Sequence, residues 1–413
     1  MSTDALRGGR RGSVAFIFVV LLLDTLGIGL VLPVLPRLVA GFFDGDLGVA
    51  SRYYGGFVAL YATMQVLFAP LLGALSDRFG RRPVILLSLF GATLNYLLTA
   101  LAPSLGWLFV GRILAGVTGA SFSAATAYIA DITPPEKRAQ SFGLVGAAFG
   151  LGFILGPALG GLVGDWNVRA PFFLAAGLNL LNMLYGLVVL PESLAKEHRR
   201  PVVLSRATPL GSLKNLARSP ILLGLTGTIV CGYLAQWILQ STWALHTQQR
   251  FGWRPVDIGV SLAVVGVTSA LVQAGLVRIV VPKLGERRSV LIGLLFSVGS
   301  YLAFATATKG WMIYAIIVLF APGGIGGPAA QAMLSREVSA SEQGELQGSL
   351  TSLQSICAIF GPLLGTYLFS RFAPETVIPR IPGAPFFAAA LLNAIGFVLA
   401  WRLFARLPLQ RTS

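Results

Sequence analysis

The chain alternates long apolar runs with short polar breaks. Runs bounded by charge, Pro or Gly fall at 13–42, 54–76, 84–102, 105–132, 139–164 and 170–190. A second set falls at 220–249, 256–281, 288–308, 311–336, 343–371 and 384–404. A helix needs about 20 mostly apolar residues to cross the hydrocarbon core of a bilayer. Within that core the backbone must satisfy its own hydrogen bonds, which a helix does within one segment. The pattern predicts an all-α integral membrane fold of twelve transmembrane helices. The first run, Ser13 to Val39, follows the basic stretch "RGGRRG". It is too long for a signal-peptide core, so it reads as a retained first span. The longest polar break, Pro191 to Ser219, reads as a cytoplasmic linker. It would join two six-helix bundles, 13–190 and 220–404, with cytoplasmic tails at 1–12 and 405–413.

Composition supports that reading. Of 413 residues, 55% are hydrophobic and 11% charged, against about 25% charged in soluble domains. The net charge of +15 invites a polyanionic partner, but its distribution gives another cause. With the N-terminus inside, 22 of the 31 Lys and Arg fall in cytoplasmic segments and 8 outside, with Arg112 left within a span. Lys and Arg collect in cytoplasmic loops. The bias predicts both termini in the cytoplasm and requires no nucleic acid. Cys231 and Cys357 lie in apolar runs without metal-site spacing.

The halves echo each other. "GPALGG" (156–161) recurs as "GPLLGT" (361–366), and Gly143 as Gly348, both at an offset of 205. "RFGRRP" (78–83) has the counterpart "KLGERR" (283–288), and "PFFLAAGLN" (171–179) recurs as "PFFAAALLN" (385–393). Six intervening spans give both copies one orientation, a parallel repeat about an axis along the membrane normal. Two such bundles enclose a cleft that rocking opens to alternate sides. A duplicated channel or scaffold is the other reading of the repeat.

Ionisable residues well inside the spans are Asp24 and Arg112. Such charges are costly and mark functional sites. Asp24 lies eleven residues past Ser13, about 16 Å deep at 1.5 Å per residue. Arg112, entering from the other side near Leu105, lies about 10 Å deep. In a core about 30 Å thick the two depths nearly meet, and a direct or water-bridged pair is expected. Burial favours the neutral acid and Arg112 favours the carboxylate, so Asp24 is placed to take up a proton. A static ion pair is the alternative. Elsewhere the charge concentrates in "GALSDRFGRRPVILL" (73–87), with Asp77, Arg78, Arg81 and Arg82 within six residues.

These stretches resemble the major facilitator superfamily. "GALSDRFGRRP" is similar to the family's loop between spans two and three, and "GRILAGVTGASFSAATAYIAD" (111–131) to its span-four motif. "GLGFILGPALGG" (150–161) is similar to the span-five motif of its drug/proton antiporter branch. "LLDTLGIGLVLPVLP" (22–36), "ALYATMQVLFAPLLG" (59–73) and "RFGWRPVDIGVSLA" (250–263) look most like the tetracycline-resistance efflux group. The match covers nearly the whole chain.

The resemblance implies proton-coupled efflux of a drug-like small molecule by alternating access. Asp24 and Arg112 would couple the proton. Asp77, Arg78, Gly80, Arg81, Arg82 and Asp131 would form a conformational latch. In the family the acid of that loop faces the N-terminus of span eleven, which carries about half a positive charge. Read without the family, the loop could be a merely topogenic basic turn. Gly152, Gly156, Pro157, Gly160 and Gly161 would form the antiporter hinge, and the same small residues also permit close helix packing. In the second copy Lys283 stands for the acid and Glu286 for the arginine, so a one-sided latch is expected.

Candidate substrate-binding residues are Asp24, Gln65, Asn95, Arg112, Gln236, Gln240, Trp243, Ser269, Gln273, Gln331 and Gln354. Each polar one serves equally as a helix–helix hydrogen bond, and Trp243 equally as part of an interfacial belt. His246 reads as interfacial. Asn95, Ser269 and Ser297 stand where the tetracycline group carries an acid, a histidine and an acid. The sequence shows no nucleotide loop, metal cluster or nucleophile–base constellation. A transporter is expected, not an enzyme, driven by a proton gradient without cofactor or metal, and monomeric in the bilayer of a bacterial inner membrane. A nutrient symporter or uniporter is the alternative, and a channel or membrane enzyme comes third.

Overall fold

The computed structural model describes residues 3–119, 121–134, 137–194, 197, 199, 219–339, 342–375 and 377–406. The expected linker beyond Leu194, apart from residues 197, 199 and 219, and the expected tail beyond Arg406 lie outside the described residues. No strand occurs among the described residues. Among the described residues, eleven helices are long and apolar enough to cross a membrane, and a bent pair makes up to twelve.

That bent pair is the first run. Helix α1 (Thr3–Val31) already includes the basic stretch at 7–11, and α2 (Leu35–Ala40) follows at 42°. The pattern predicts one continuous span over 13–42, but Pro33 and Pro36 interrupt it. Proline has no N–H to donate and pushes the preceding residue out of helical geometry.

Helix α3 (Leu47–Phe79) starts on Asp46, whose Oδ1 accepts the amides of Gly48 at 2.8 Å and Val49 at 3.1 Å. This is an N-cap. Then come α4 (Arg81–Leu101), α5 (Leu105–Thr118), α6 (Ser121–Ile132), α7 (Arg138–Trp166) and α8 (Ala170–Val189). Helix α9 (Pro220–Phe251) is capped by Ser219, whose Oγ accepts the Ile221 amide. It ends at Gly252, whose φ of 66° suits a glycine stop.

Helices α10 (Pro255–Leu271) and α11 (Val277–Leu284) are joined by a π-helical turn at Val272–Leu276. Helix α12 (Glu286–Thr306) follows. Helices α13 (Gly310–Phe320) and α14 (Gly326–Arg336) flank the turn "APGGI", where Pro322 interrupts the tenth run. Helices α15 (Gln343–Phe372) and α16 (Ala384–Arg406) complete the order.

The chain forms two compact units. Unit 1 comprises Met1–Gly45, Leu60–Ala207 and Arg254–Ala263. Unit 2 comprises Asp46–Ala59, Thr208–Trp253 and Val264–Ser413. Unit 1 is centred on Phe16, Ile17, Val20 and Leu21 of α1, packed on Ile85 and Leu89 of α4 and Tyr128 of α6. In unit 2, Leu225 of α9, Val290 of α12, Leu334 of α14 and Ala400 of α16 come together.

The repeat reaches side-chain level. Asn179 Nδ2 donates to Ala175 O at 3.0 Å, and its counterpart Asn393 Nδ2 donates to Ala389 O at 3.1 Å. Both asparagines are buried, where an amide must find a partner. His246, expected at the interface, is buried in unit 2. Its Nδ1 lies 3.1 Å from Pro382 O, between the rings of Phe251 and Phe386.

Candidate functional site

Unit 1 gathers the intramembrane charges. Arg112 on α5 donates from Nη2 to Asn95 Oδ1 on α4 at 3.0 Å. Asn95 is buried, and no Cβ intervenes at Gly111, which lets α5 lie close to the Asn95 side chain. Gly27, three residues past Asp24 on α1, lies against Tyr96 of α4. Arg112 and Asn95 thus form a polar cluster on helices packed with the one that carries Asp24.

Gln65 joins the cluster through a helix break. The fourth run stops being helical at Gly119, and its carbonyl accepts Gln65 Nε2 at 3.3 Å. The same Nε2 donates to Tyr61 Oη at 3.2 Å. A broken span must have its freed backbone groups satisfied again inside the bilayer, and Gln65 does this. The hydrophobic pattern gave no sign of that break, and the two tyrosines were not singled out in the sequence. Nothing marks a tyrosine in an apolar run until its neighbours across helices are known.

The charged turn between α3 and α4 is a second cluster. Arg81 pairs with Asp77 one turn earlier through Nη1, and its Nε donates to Asp131 Oδ2 at 3.1 Å. Its Nη1 also reaches Ser76 Oγ at 3.2 Å. Asp131 binds Arg81 through Oδ2, which also accepts Ser193 Oγ at 3.0 Å. Gly80 has φ 112°, a region few side chains tolerate. The space beside it is filled by the Glu192 carboxylate.

Glu192 accepts the amides of Arg81 at 2.8 Å and Arg82 at 3.3 Å, so it caps the N-terminus of α4. Arg82 Nη2 donates to Leu187 O at 2.7 Å, and Arg78 lies over the Phe79 ring at 5.2 Å from its centroid. Glu192 and Ser193 are functional-cluster residues that sequence reading missed. Their only signal is the polar pair after Pro191.

The second copy of this turn was expected to lack a latch. It holds an ion pair: Arg336 Nη2 donates to Glu286 Oε1 at 2.9 Å. Counting the offset of 205, Glu286 stands at the place of Arg81 and Arg336 at that of Asp131, while the place of Asp77 falls on Pro282 and not on the expected Lys283, which matches Arg78. Gly285, at the place of Gly80, also has positive φ, 79°.

The span-five glycines face two ways within unit 1. A Cβ at Gly152 would lie 2.7 Å from Thr25 Cβ, and one at Gly156 2.7 Å from Gly29 Cα. Gly160 abuts the Leu30 carbonyl. These three seat α7 on α1. Gly161 abuts Pro255 at the start of α10, and the Pro157 carbonyl abuts Gly259. Beside them, Arg254 Nη1 and Asp165 Oδ2 pair at 3.1 Å.

The remaining candidates lie in unit 2. Gln236, Gln240, Ser269, Gln273 and Gln354 are exposed. Gln331 Nε2 donates to Gln347 Oε1 at 2.9 Å. Ser297 Oγ donates to Gly293 O at 2.9 Å. Trp243 is buried, edge-on to Phe304 with ring centroids 5.1 Å apart. Among the described residues, no group of three or more His, Cys, Asp or Glu is arranged to hold a metal ion.

The family model of the major facilitator superfamily matches residues 17–320 and 233–412. The tetracycline resistance protein, class C, of Escherichia coli is 46% identical over 351 residues, covering 85% of this chain and 88% of that protein. The class E protein of Escherichia coli is 42% identical over 365 residues, covering 87% and 88%. Among solved structures, the human organic anion transporter MFSD10 superposes with a TM-score of 0.67 at 26% identity, covering 95% of this chain and 99% of that one.

Proposed function

The chain belongs to the major facilitator superfamily, and we propose from this that it exports a tetracycline-like drug in exchange for protons by alternating access. The observation that carries the reading is an acid and an arginine, Asp24 and Arg112, inside otherwise apolar helices, with Asn95 holding Arg112. Charge within a membrane span is retained where an ion or substrate is handled. Asp24 takes the proton, and Arg112, oriented by Asn95, returns the carboxylate to its charged form. Exchange then needs only that protonation and drug occupancy exclude each other.

The Asp77–Arg81–Asp131 network serves as the latch, and Gly152, Gly156, Pro157, Gly160 and Gly161 as the hinge against leakage. Gln236, Gln240, Trp243, Ser269, Gln273, Gln331 and Gln354 complete the drug-binding residues. The protein works as a monomeric carrier, not an enzyme, with the proton gradient in place of a cofactor. The distribution of Lys and Arg supports cytoplasmic termini in a bacterial inner membrane.

The test is drug uptake by proteoliposomes with a panel that includes tetracycline. Drug accumulates when the lumen is acidic, and Asp24→Asn abolishes the accumulation. Proton-driven exchange that persists in Asp24→Asn would remove Asp24 as the carrier. Drug flux indifferent to the gradient would make the protein a uniporter.

A further inference from the structure

The segment Leu190–Leu194, where α8 gives way to the expected linker, is tied to the charged turn at both of its polar residues. Leu190 is buried in the core of unit 1 with Phe16 and Ile85, and Leu194 is buried as well. Between these two anchors the Glu192 carboxylate gathers four amides. Its Oε1 accepts those of Arg81 at 2.8 Å, Ser193 at 3.0 Å and Leu194 at 3.1 Å, and its Oε2 accepts that of Arg82 at 3.3 Å. One carboxylate thus fastens the start of the linker to the first turn of α4, where the helix dipole favours an anion. The Ser193 hydroxyl donates to Asp131 Oδ2 at 3.0 Å, the same oxygen that accepts Arg81 Nε at 3.1 Å.

The second copy of the turn folds without such a strap. Gly285 has a positive φ like Gly80, yet a Cβ there would meet nothing within 4 Å. At the offset of 214 that relates Pro171 to Pro385, Glu192 falls on Arg406, and a cation is disfavoured at a helix N-terminus. The turn before α12 therefore forms with no carboxylate seated over its glycine. Folding of the turn before α4 does not by itself account for Glu192. What differs between the copies is the ion pair beside the turn. The Asp131 side chain is 22% exposed and shares its oxygen with Ser193, whereas Arg336, at the same place, is 70% exposed.

We propose that Glu192 and Ser193 are positioning residues of the latch, which hold Arg81 and Asp131 in place for each other and tie their pairing to the start of the linker. The inference rests on the reading of Asp77, Arg81 and Asp131 as a latch. Arg81 is held twice. Glu192 fixes its backbone through the amide, and Ser193 fixes the oxygen that its guanidinium binds. When Arg81 swings away, Asp131 keeps the Ser193 hydrogen bond and stays aimed for the arginine's return. The linker continues directly from Leu194, so a pull along it reaches both partners of the ion pair.

The experiment is drug exchange by the full chain in proteoliposomes for Ser193→Ala, Ser193→Thr and Glu192→Gln, beside Asp77→Asn. Ser193→Ala is expected to lower turnover about tenfold, the loss of one hydrogen bond to a charged group, with KM and melting temperature unchanged. Ser193→Thr, which keeps the hydroxyl, restores turnover. Glu192→Gln, whose single amide oxygen cannot serve four donors, lowers turnover at least as much. Hydrogen–deuterium exchange at the Arg81 and Arg82 amides becomes faster in Glu192→Gln, and this is read even in a variant too slow to assay. Full turnover in Ser193→Ala and Glu192→Gln, with Asp77→Asn inactive, would overturn the proposal and leave the latch standing. Unchanged exchange at the two amides would overturn it as well, as would a fall in turnover matched by an equal fall in melting temperature in Ser193→Ala and Ser193→Thr alike. Normal drug exchange by Asp77→Asn would overturn the latch and the proposal together.

Discussion

Arg81 and Glu286 occupy the same place in the repeat, 205 residues apart, and each closes an ion pair with a residue 50 positions further on. Arg81 binds Asp131 at 3.1 Å, and Glu286 binds Arg336 at 2.9 Å. The sign of both partners is reversed between the copies. An ion pair by itself does not favour one polarity. Polarity is set by whatever else touches it. In unit 1 that is Asp77, which also binds Arg81; in unit 2 the equivalent position is Pro282.

Reversal should therefore be tolerated in one copy only. Glu286→Arg combined with Arg336→Glu keeps transport within about twofold, since Arg336 is 70% exposed and exposed pairs contribute little. Arg81→Asp combined with Asp131→Arg stays inactive, because two acids one helical turn apart then repel. Transport normalised to membrane expression distinguishes the two. Equal recovery of both doubles would sink the role given to Asp77.

Asp77→Asn is expected to abolish most transport while expression stays normal. Arg81 keeps Asp131 and Ser76 as partners, so the turn stays folded. What is lost is the charge on the outer side of the arginine. Normal transport by this variant would refute the latch and leave the loop a topogenic one.

Gly156→Ala should lower thermal stability in detergent by about 1–3 kcal/mol, the usual cost of overpacking. The new Cβ meets the Gly29 backbone at 2.7 Å and the Leu26 carbonyl at 2.9 Å, and backbone cannot swing aside. Gly150→Ala on the same helix meets nothing within 4 Å and should be neutral or slightly stabilising, as alanine favours helix. Equal melting curves would show that α1 and α7 do not pack through Gly156.

Gln65→Leu removes the donor to the Gly119 carbonyl. An acceptor left without its donor inside a span costs up to about 1–3 kcal/mol, read as a lower melting temperature. Gln65→Glu should lose as much, because an ionised carboxylate accepts but cannot donate. A stable Gln65→Glu protein would mean that the break at Gly119 is satisfied by another group.

Much of the fold was legible along the chain, for a physical reason. A spanning helix satisfies its own backbone and needs only an apolar run of sufficient length, and both properties are local. The twelve runs, the repeat and the isolation of Asp24 and Arg112 were therefore readable. The interruptions were less so. Pro33 and Pro36 divide the first run, yet Pro157 and Pro362 sit inside continuous helices. A proline removes one donor in every case. Whether the helix bends or carries on depends on what neighbouring helices supply, such as Gly29 against Pro157.

The sequence by itself determined that this is a membrane chain with a repeated pattern and with an acid and an arginine well inside its spans, because hydrophobicity, period and repetition are written residue by residue. Only the tertiary structure decided which groups stand beside those charges. Asn95 beside Arg112, Gln65 at the Gly119 carbonyl, Glu192 on the turn at Gly80, and Arg336 on Glu286 come from separate stretches of the chain. Hydrogen bonds and ion pairs act over a few ångströms of space, and distance along the sequence does not encode them.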